Sequence, residues 1–253
     1  MIAFALSLLL VVSILMYSYA ILAQQQHHSL PIESKNTLLL IAHPDDECMF
    51  FGPTLMSIRA NSPKTKIHVV CLSTGDAVGL GDQRKKELKR SCHVFGIAPG
   101  HVRTFDHKDL RDGMKNRWPP KLIADLVKEV IDKYRIDTVI TFDDFGVSGH
   151  LNHQAAYHGI QEYLRTHAYL QVYKLKSISL VRKYIGIVDV LFVKAQQLIV
   201  RPPTAPWISI SSPPAYLQTH KAMRQHRTQL VWFRWLYVTF SRYMYINELE
   251  QVA

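Results

Sequence analysis

No lysine, arginine, aspartate or glutamate occurs in the first thirty-two residues of the chain. Its apolar part, Ile2 to Ala23, does not suit a water-exposed surface. Cysteine is scarce as well. Cys48, Cys71 and Cys92 are an odd set of three without C-x-x-C spacing, which argues against a disulfide framework and fits a reducing compartment. No N-x-S/T sequon is present, in keeping with a non-lumenal domain. No G-x-G-x-x-G follows the first apolar strand pattern, which weakens a dinucleotide-binding reading. Internal repeats and low-complexity tracts are absent. Acid is missing between Val190 and Asn247, where seven Lys and Arg stand, so much of the net charge of +10 lies near the C-terminus. Such a stretch suits nucleic acid or the anionic face of a membrane.

The uncharged start contains Ile2 to Ala23, twenty-two residues long enough to cross a hydrocarbon core of ~30 Å as a helix. A cleaved signal peptide is the rival reading, but there is no basic n-region and the apolar run is long. All thirty Lys and Arg follow this segment, beginning at Lys35. The positive-inside rule then puts the remainder of the chain on the cytosolic side. The expected organisation is an anchor over 1–23, a polar tether over 24–36 and one domain over 37–253. With an anchor at its head, the basic excess favours a membrane over nucleic acid.

"TLLLIA" (37–42) is a continuous apolar run of the kind that forms a buried parallel strand. "KIHVVCLSTG" (66–75), "HVRTFDH" (101–107) and "DTVITF" (137–142) read as further strands. Between them, residues 53–60, "DQRKKELKRSCHVFGI" with Asp82 as N-cap and Gly96 at its stop, and the apolar series Leu122 to Tyr134 read as helices. Another helix starts near His150. Alternation of this kind predicts an α/β, Rossmann-like, doubly wound and mostly parallel sheet, whose ligands bind beyond the carboxyl ends of the strands.

Two polar clusters fall at such ends. "HPDDE", His43 to Glu47, follows the first strand. A His and a carboxylate from one loop suit Zn²⁺, which takes nitrogen and oxygen ligands at ~2.0–2.2 Å. Asp45 and Asp46 should point different ways, leaving one free as a base. The same acids also suit capping of the next helix. "DDFGVSGHLNH", Asp143 to His153, follows 137–142. Its HxxH pair is weak alone, but Gly146 and Gly149 permit a close approach to a ligand. Together the clusters can supply His, Asp and His to one ion with a position left for water.

These stretches resemble the LmbE-like or PIG-L family of zinc-dependent de-N-acetylases, on "AHPDDE", "GHLNH", "MFFGPT", "RKKEL" and the C-terminal "WFRWLYVTFSRYM". The likeness is greatest to its branch acting on N-acetylglucosaminyl-phosphatidylinositol, in the second step of glycosylphosphatidylinositol anchor synthesis at the endoplasmic reticulum membrane. The resemblance implies His43, Asp46 and His153 as zinc ligands, although Mn²⁺ or Fe²⁺ also suits such a set. It implies Asp45 as general base, His150 as an imidazolium that stabilises the oxyanion or protonates the leaving amine, and Arg84 as a grip on phosphate or sugar. Some soluble relatives carry a tyrosine two residues before the first HxxH histidine; here that position is Ser148. A soluble amino-sugar substrate and a catalytically lapsed lipid-binding protein are the alternatives. The anchor weighs against the first, and the complete His43, Asp45, Asp46, His150 and His153 set against the second.

The other polar residues admit site or structural roles. His68 alternates within a strand and reads as structural. Asp144, more than Asp143, is a candidate to orient a ligand histidine; Asp76 lines a pocket or makes a turn, and Glu47 supports its loop or caps a helix. "WFRWLYVTFSRYMYI" holds seven aromatics between Trp232 and Tyr245. It reads either as a core helix burying Trp232, Leu236, Phe240 and Tyr243, or as an interfacial element with Arg234 and Arg242 turned to anionic lipid.

Overall fold

The computed structural model describes residues 2–24, 34–167, 169–199 and 206–252. Most of the expected tether lies outside these residues. Its last positions belong to the domain: Lys35 and Asn36 donate backbone hydrogen bonds to the Asp137 carboxylate.

A long apolar helix, α1 (Ile2–Gln24), opens the chain, and Phe4–Ala23 is long and apolar enough to cross a membrane. It stands clear of the domain except near its end, where Tyr19 and Ala23 are buried against Val190, Val193, Ile208 and Ile246.

The domain is a seven-stranded sheet. Strands β1 (Asn36–Ile41), β2 (Lys66–Cys71), β3 (Val102–Thr104), β4 (Thr138–Phe142) and β5 (Gln171–Leu175) run parallel in the order β3-β2-β1-β4-β5. Their aliphatic runs are covered on both faces, as continuous hydrophobicity requires. Two antiparallel strands complete the sheet: β7 (Ile246–Gln251) pairs with β5, and β6 (Trp207–Ile210) pairs with β7. The four strands read from the sequence are therefore present, with three more that its pattern did not suggest.

Helices α2 (Asp46–Met49), α3 (Gly52–Asn61), α4 (Gly81–Val94), α5 (Pro120–Tyr134), α6 (Gly146–Gly149) and α7 (Leu151–Leu164) connect the parallel strands. Pro120 starts α5 because its missing N–H costs nothing there. Ile123, Val127, Val130 and Ile131 form its buried stripe, each worth roughly 1.5–3 kcal/mol of burial. Helix α7 packs directly on α5, and a Cβ at Gly159 would lie 2.3 Å from Ile123 Cγ2. Only glycine permits that approach. Asp82 does not cap α4: the helix begins one residue earlier, and Asp82 instead pairs with Lys85 at 2.7 Å. Gly96, at φ +75°, does mark its stop.

Beyond β5 the chain forms α8 (Leu180–Lys183), α9 (Val188–Ile199), α10 (Pro213–Met223) and α11 (Trp232–Phe240). Helix α11 departs from the core reading of its segment, except at Tyr243, and from the interfacial reading in its two arginines. Trp232, Leu236 and Phe240 are exposed, whereas Tyr237, Val238 and Tyr243 are buried. The arginines turn inward. Arg242 is 1% exposed, its Nε lying 2.8 Å from Asp189 Oδ2 and its Nη2 donating to Glu248 Oε1 at 2.8 Å. Arg182 grips the other side of Asp189. Burial leaves both acids needing cationic partners, and these arginines are the partners within reach.

His68 is structural, as expected. It stacks on His101 at 4.5 Å, lies 4.4 Å from the Tyr134 ring, and neither ring nitrogen finds a hydrogen-bond partner among the described residues. Burial, with His101 and Lys66 nearby, lowers its pKa to about 4. The unfolded chain then binds the proton more readily, so this contribution is complete above pH ~6.5 and lost as pH falls towards 4. His68→Phe is expected to remove roughly 2–3 kcal/mol of acid sensitivity over that window, measured by urea unfolding at a series of pH values.

Candidate metal and hydrolytic site

The strand order reverses at β1, whose neighbours are β2 on one side and β4 on the other. The crevice beyond this switch point receives the loops carrying both polar clusters. Asp46 closes the first loop. Its Oδ2 accepts from the backbone N–H groups of Ala42 (3.0 Å) and His43 (2.9 Å), which turns its Oδ1 towards His153 Nε2 at 3.4 Å. Burial opposes its charge, but His153 and His43 outweigh burial and hold the carboxyl well below its usual range.

His153, on the first turn of α7, donates from Nδ1 to the Gly146 carbonyl at 3.1 Å, leaving Nε2 as the free acceptor. Its ring lies parallel to Phe142 at 4.0 Å. His43 Nε2 faces Asp112 Oδ1 (3.1 Å) and Asn152 Oδ1 (3.0 Å), so Nε2 carries the proton and Nδ1 faces Asp46. Ligand atoms from His43, Asp46 and His153 lie within 4.8 Å of one another, all buried. Both histidines thus have their outer nitrogens held by oxygen acceptors, the arrangement that orients metal ligands. Burial would discharge His43, yet Asp112 and Asp46 raise its pKa to about 9. The same negative field favours a divalent cation, and this donor set fits Zn²⁺.

Asp45 is not one of these three ligand residues. Its backbone is left-handed, at φ 116°, and caps nothing with its side chain. Its N–H donates to Glu47 Oε2 at 3.1 Å, and Arg234 Nη2 stands 3.2 Å from Asp45 Oδ2. Burial pushes the Asp45 pKa up to about 6; Arg234 opposes the rise and Asp46 adds to it. Val147 is also left-handed, at φ 67°, a costly position for a β-branched residue. Its N–H donates to Ser177 Oγ at 2.7 Å, and Asp143 in turn accepts from Ser177 and Gly146. Asp143, rather than the exposed Asp144, therefore holds the loop whose Gly146 carbonyl orients His153.

His150 caps α7, its Nδ1 accepting from Asn152 N–H at 3.2 Å, so Nε2 carries the proton. Its ring lies 4.7 Å from His153 and 4.8 Å from His43. Burial and these two histidines lower its pKa to about 4, giving a neutral donor rather than the expected imidazolium. Ser148 follows Val147 within the kink of α6. Arg84 donates to the Gly75 carbonyl at 2.6 Å and lies 3.8 Å from Asp112, at the edge of the site. Asp76 serves the turn, accepting from Gly81 N–H, and also lines a neighbouring cavity of about 520 Å³.

Asp112, Asn152 and Arg234 are the site residues that sequence reasoning missed. Asp112 and Arg234 reach the site from distant loops and helices. Asn152 lies inside the "GHLNH" stretch, so proximity to the motif was the available signal.

Glu47 supports the loop from below. Wholly buried, it accepts from Asp45 N–H and Ser91 Oγ, and its Oε1 lies 2.7 Å from His226 Nε2. His226 Nδ1 meets Gln229, which donates to the Pro44 carbonyl. Glu47, Cys48 and His226 also bring ligand atoms together. Burial, with Glu47 and Asp45, keeps Cys48 a thiol, which donates to the Asp45 carbonyl and is unsuited to ligation.

A doubly wound sheet with a His-Asp-His cluster at its switch point and a second buried carboxylate next to it in the chain defines a metallohydrolase-type site. Residues 38–164 match the PIG-L family, described as GlcNAc-PI de-N-acetylase. A probable N-acetylglucosaminyl-phosphatidylinositol de-N-acetylase of Schizosaccharomyces pombe is 37% identical, covering 98% of each chain. The enzyme of that name from Bos taurus is 36% identical over 92% of this chain and 90% of its own. In structure, the deacetylase of the teicoplanin biosynthesis pathway superposes with a TM-score of 0.59 at 14% identity, covering 86% of this chain and 98% of that one, a likeness of fold. The chain belongs to the PIG-L family and is a de-N-acetylase.

Glu47→Ala would strand His226 in the interior without its partner. It is expected to cost about 3–5 kcal/mol in urea unfolding, whereas Lys121→Ala, breaking the exposed pair with Asp125, should leave the unfolding midpoint unchanged.

Proposed function

We propose that the chain hydrolyses the N-acetyl group of N-acetylglucosaminyl-phosphatidylinositol, giving acetate and glucosaminyl-phosphatidylinositol, the second step of glycosylphosphatidylinositol anchor synthesis. The observation that carries this reading is the buried His43–Asp46–His153 cluster with a second buried carboxylate, Asp45, next to Asp46 in the chain and not part of the cluster. The names of the relatives supply the substrate. Zn²⁺ held by His43, Asp46 and His153 would bring the pKa of a water towards ~7 and polarise the acetamide carbonyl.

Asp45 takes the proton of the attacking water at a carboxylate oxygen. Its burial suits this role, since a carboxylate with a raised pKa is a stronger base than an exposed one. His150 Nε2–H donates to the carbonyl oxygen as negative charge develops on it. The C–N bond of the tetrahedral intermediate then breaks, and the proton held by Asp45 passes to the departing amine. Arg84, whose position is fixed by Gly75 and Asp112, receives the phosphate or sugar hydroxyls at the rim.

Helix α1 anchors this domain as a single span, with the domain on the cytosolic side of the endoplasmic reticulum membrane. The basic excess after Lys35 and the glycolipid substrate support that arrangement.

Purified full-length protein is expected to release acetate from the glycolipid, to lose this activity to a chelator, and to regain it with Zn²⁺. No release from folded, zinc-loaded protein would refute the substrate. Asp45→Asn should retain the metal and lose ~10²–10⁴-fold in turnover, while His153→Ala should lose the metal itself, measured by metal analysis after dialysis. Equal metal loss in both variants would refute the base assignment. Deleting Ile2 to Ala23 should lower turnover on bilayer-embedded substrate more than on a short-chain soluble analogue.

A further inference from the structure

Away from α1, most of the exposed large apolar side chains among the described residues are gathered on α8, α9 and α11. On α11, Trp232 is 75% exposed, with Phe233, Leu236 and Phe240 each about half exposed. On α8, Leu180 and Val181 are 72% and 74% exposed, and Phe192 on α9 is 50% exposed. These helices adjoin. The Tyr184 ring lies 6.4 Å from Tyr237 of α11, and a Cβ at Gly186 would stand 3.3 Å from the Phe240 carbonyl. Helix α9 in turn shares a buried apolar cluster with the end of α1, through Val190, Val193, Tyr19 and Ala23. The exposed face is therefore continuous with the candidate span.

Its inner side bears on the site. From α11, Arg234 reaches Asp45 and donates to Met49 Sδ, and Tyr237 donates to the Met49 carbonyl. From α8, Lys183 donates to the carbonyl of Val147, in the loop that leads to His150 and His153. The flanking charge is basic: Lys221, Arg224 and Arg227 are exposed just before α11, and Arg224 lies over the Trp235 ring at 5.6 Å. Aromatics at headgroup depth beside cations are the composition of an interfacial element on an anionic bilayer.

We propose that α8, α9 and α11 form a second membrane contact, a collar that inserts into the headgroup and upper acyl region beside α1. It holds the mouth of the site against the lipid surface. The occupant of this face is the bilayer itself. The inference rests on the membrane reading of α1 given above, but its first test, by quenching, does not depend on turnover.

Four tryptophans are present, and none lies in α1. Trp118 and Trp207 are each 3% exposed, whereas Trp232 and Trp235 are exposed on α11. Tryptophan emission therefore reports the collar and not the span. Full-length protein would be reconstituted into vesicles of phosphatidylcholine and phosphatidylserine, with acyl chains either plain or brominated near the headgroup. Brominated lipid is expected to quench Trp232 and Trp235, leaving the emission of Trp118 and Trp207. A Trp232→Phe/Trp235→Phe variant should lose the quenchable fraction. Absence of quenching in vesicles that retain the protein would overturn the proposal and assign the face to another partner, with the catalytic reading intact. Leu236→Glu/Phe240→Glu should then slow turnover of bilayer-embedded glycolipid while sparing a short-chain soluble analogue. Equal slowing of both would likewise count against the collar.

Discussion

The site depends on one carboxylate serving two tasks. Asp46 Oδ2 binds the two backbone N–H groups at the end of β1, which fixes the turn after the strand. That leaves Oδ1 facing His153 across the switch point, from a helix more than a hundred residues further along the chain. The turn and the cation site are therefore formed together. An exposed acid free to rotate would do neither, because a buried carboxylate must find donors for its oxygens before it can present one to a ligand.

Around this anchor, strain and charge are balanced by built structure. Two non-glycine residues in left-handed conformations, Asp45 and Val147, flank the cluster. Each is over-determined by side chains beneath it: Glu47, His226 and Gln229 for the first loop, Asp143, Ser177 and Lys183 for the second. Strained backbone of this kind persists only where surrounding contacts enforce it. What results is a pair of carboxylates, adjacent in sequence, with opposed environments. Asp46 is held ionised by two histidines, and Asp45 is raised by burial and restrained by Arg234.

Much of this was legible in the sequence where the information is local. Four strands, the helices between them and both loop clusters follow from apolar runs, turn residues and motif spacing. His43, Asp46, His150 and His153 come together, while Asp45 pairs with Arg234 outside the cluster. Contacts made across the fold were not legible. The choice of Asp143 over Asp144 depends on Ser177, thirty-four residues away. Asp112 sits in an irregular loop without a motif, and its role appears only when that loop folds over His43. Strand β7, "INELEQ", carries two acids and resembles a surface segment; Arg242 and Lys176 neutralise them in place. Arg242 itself read as lipid-facing because its counter-charges, Asp189 and Glu248, lie on other elements.

The place of β7 in the sheet also sets an order of events during synthesis. Among the described residues, β6 pairs only with β7, and β7 separates it from the parallel strands. A growing chain that has emerged as far as β6 cannot add it to the sheet until β7 follows. Arg234, His226 and Gln229, which hold Asp45 and its loop, all lie between those two strands. A nascent chain thus carries all three candidate metal ligands well before it can brace Asp45 beside them. The contacts that hold Asp45 are completed last, after α1 has left the ribosome.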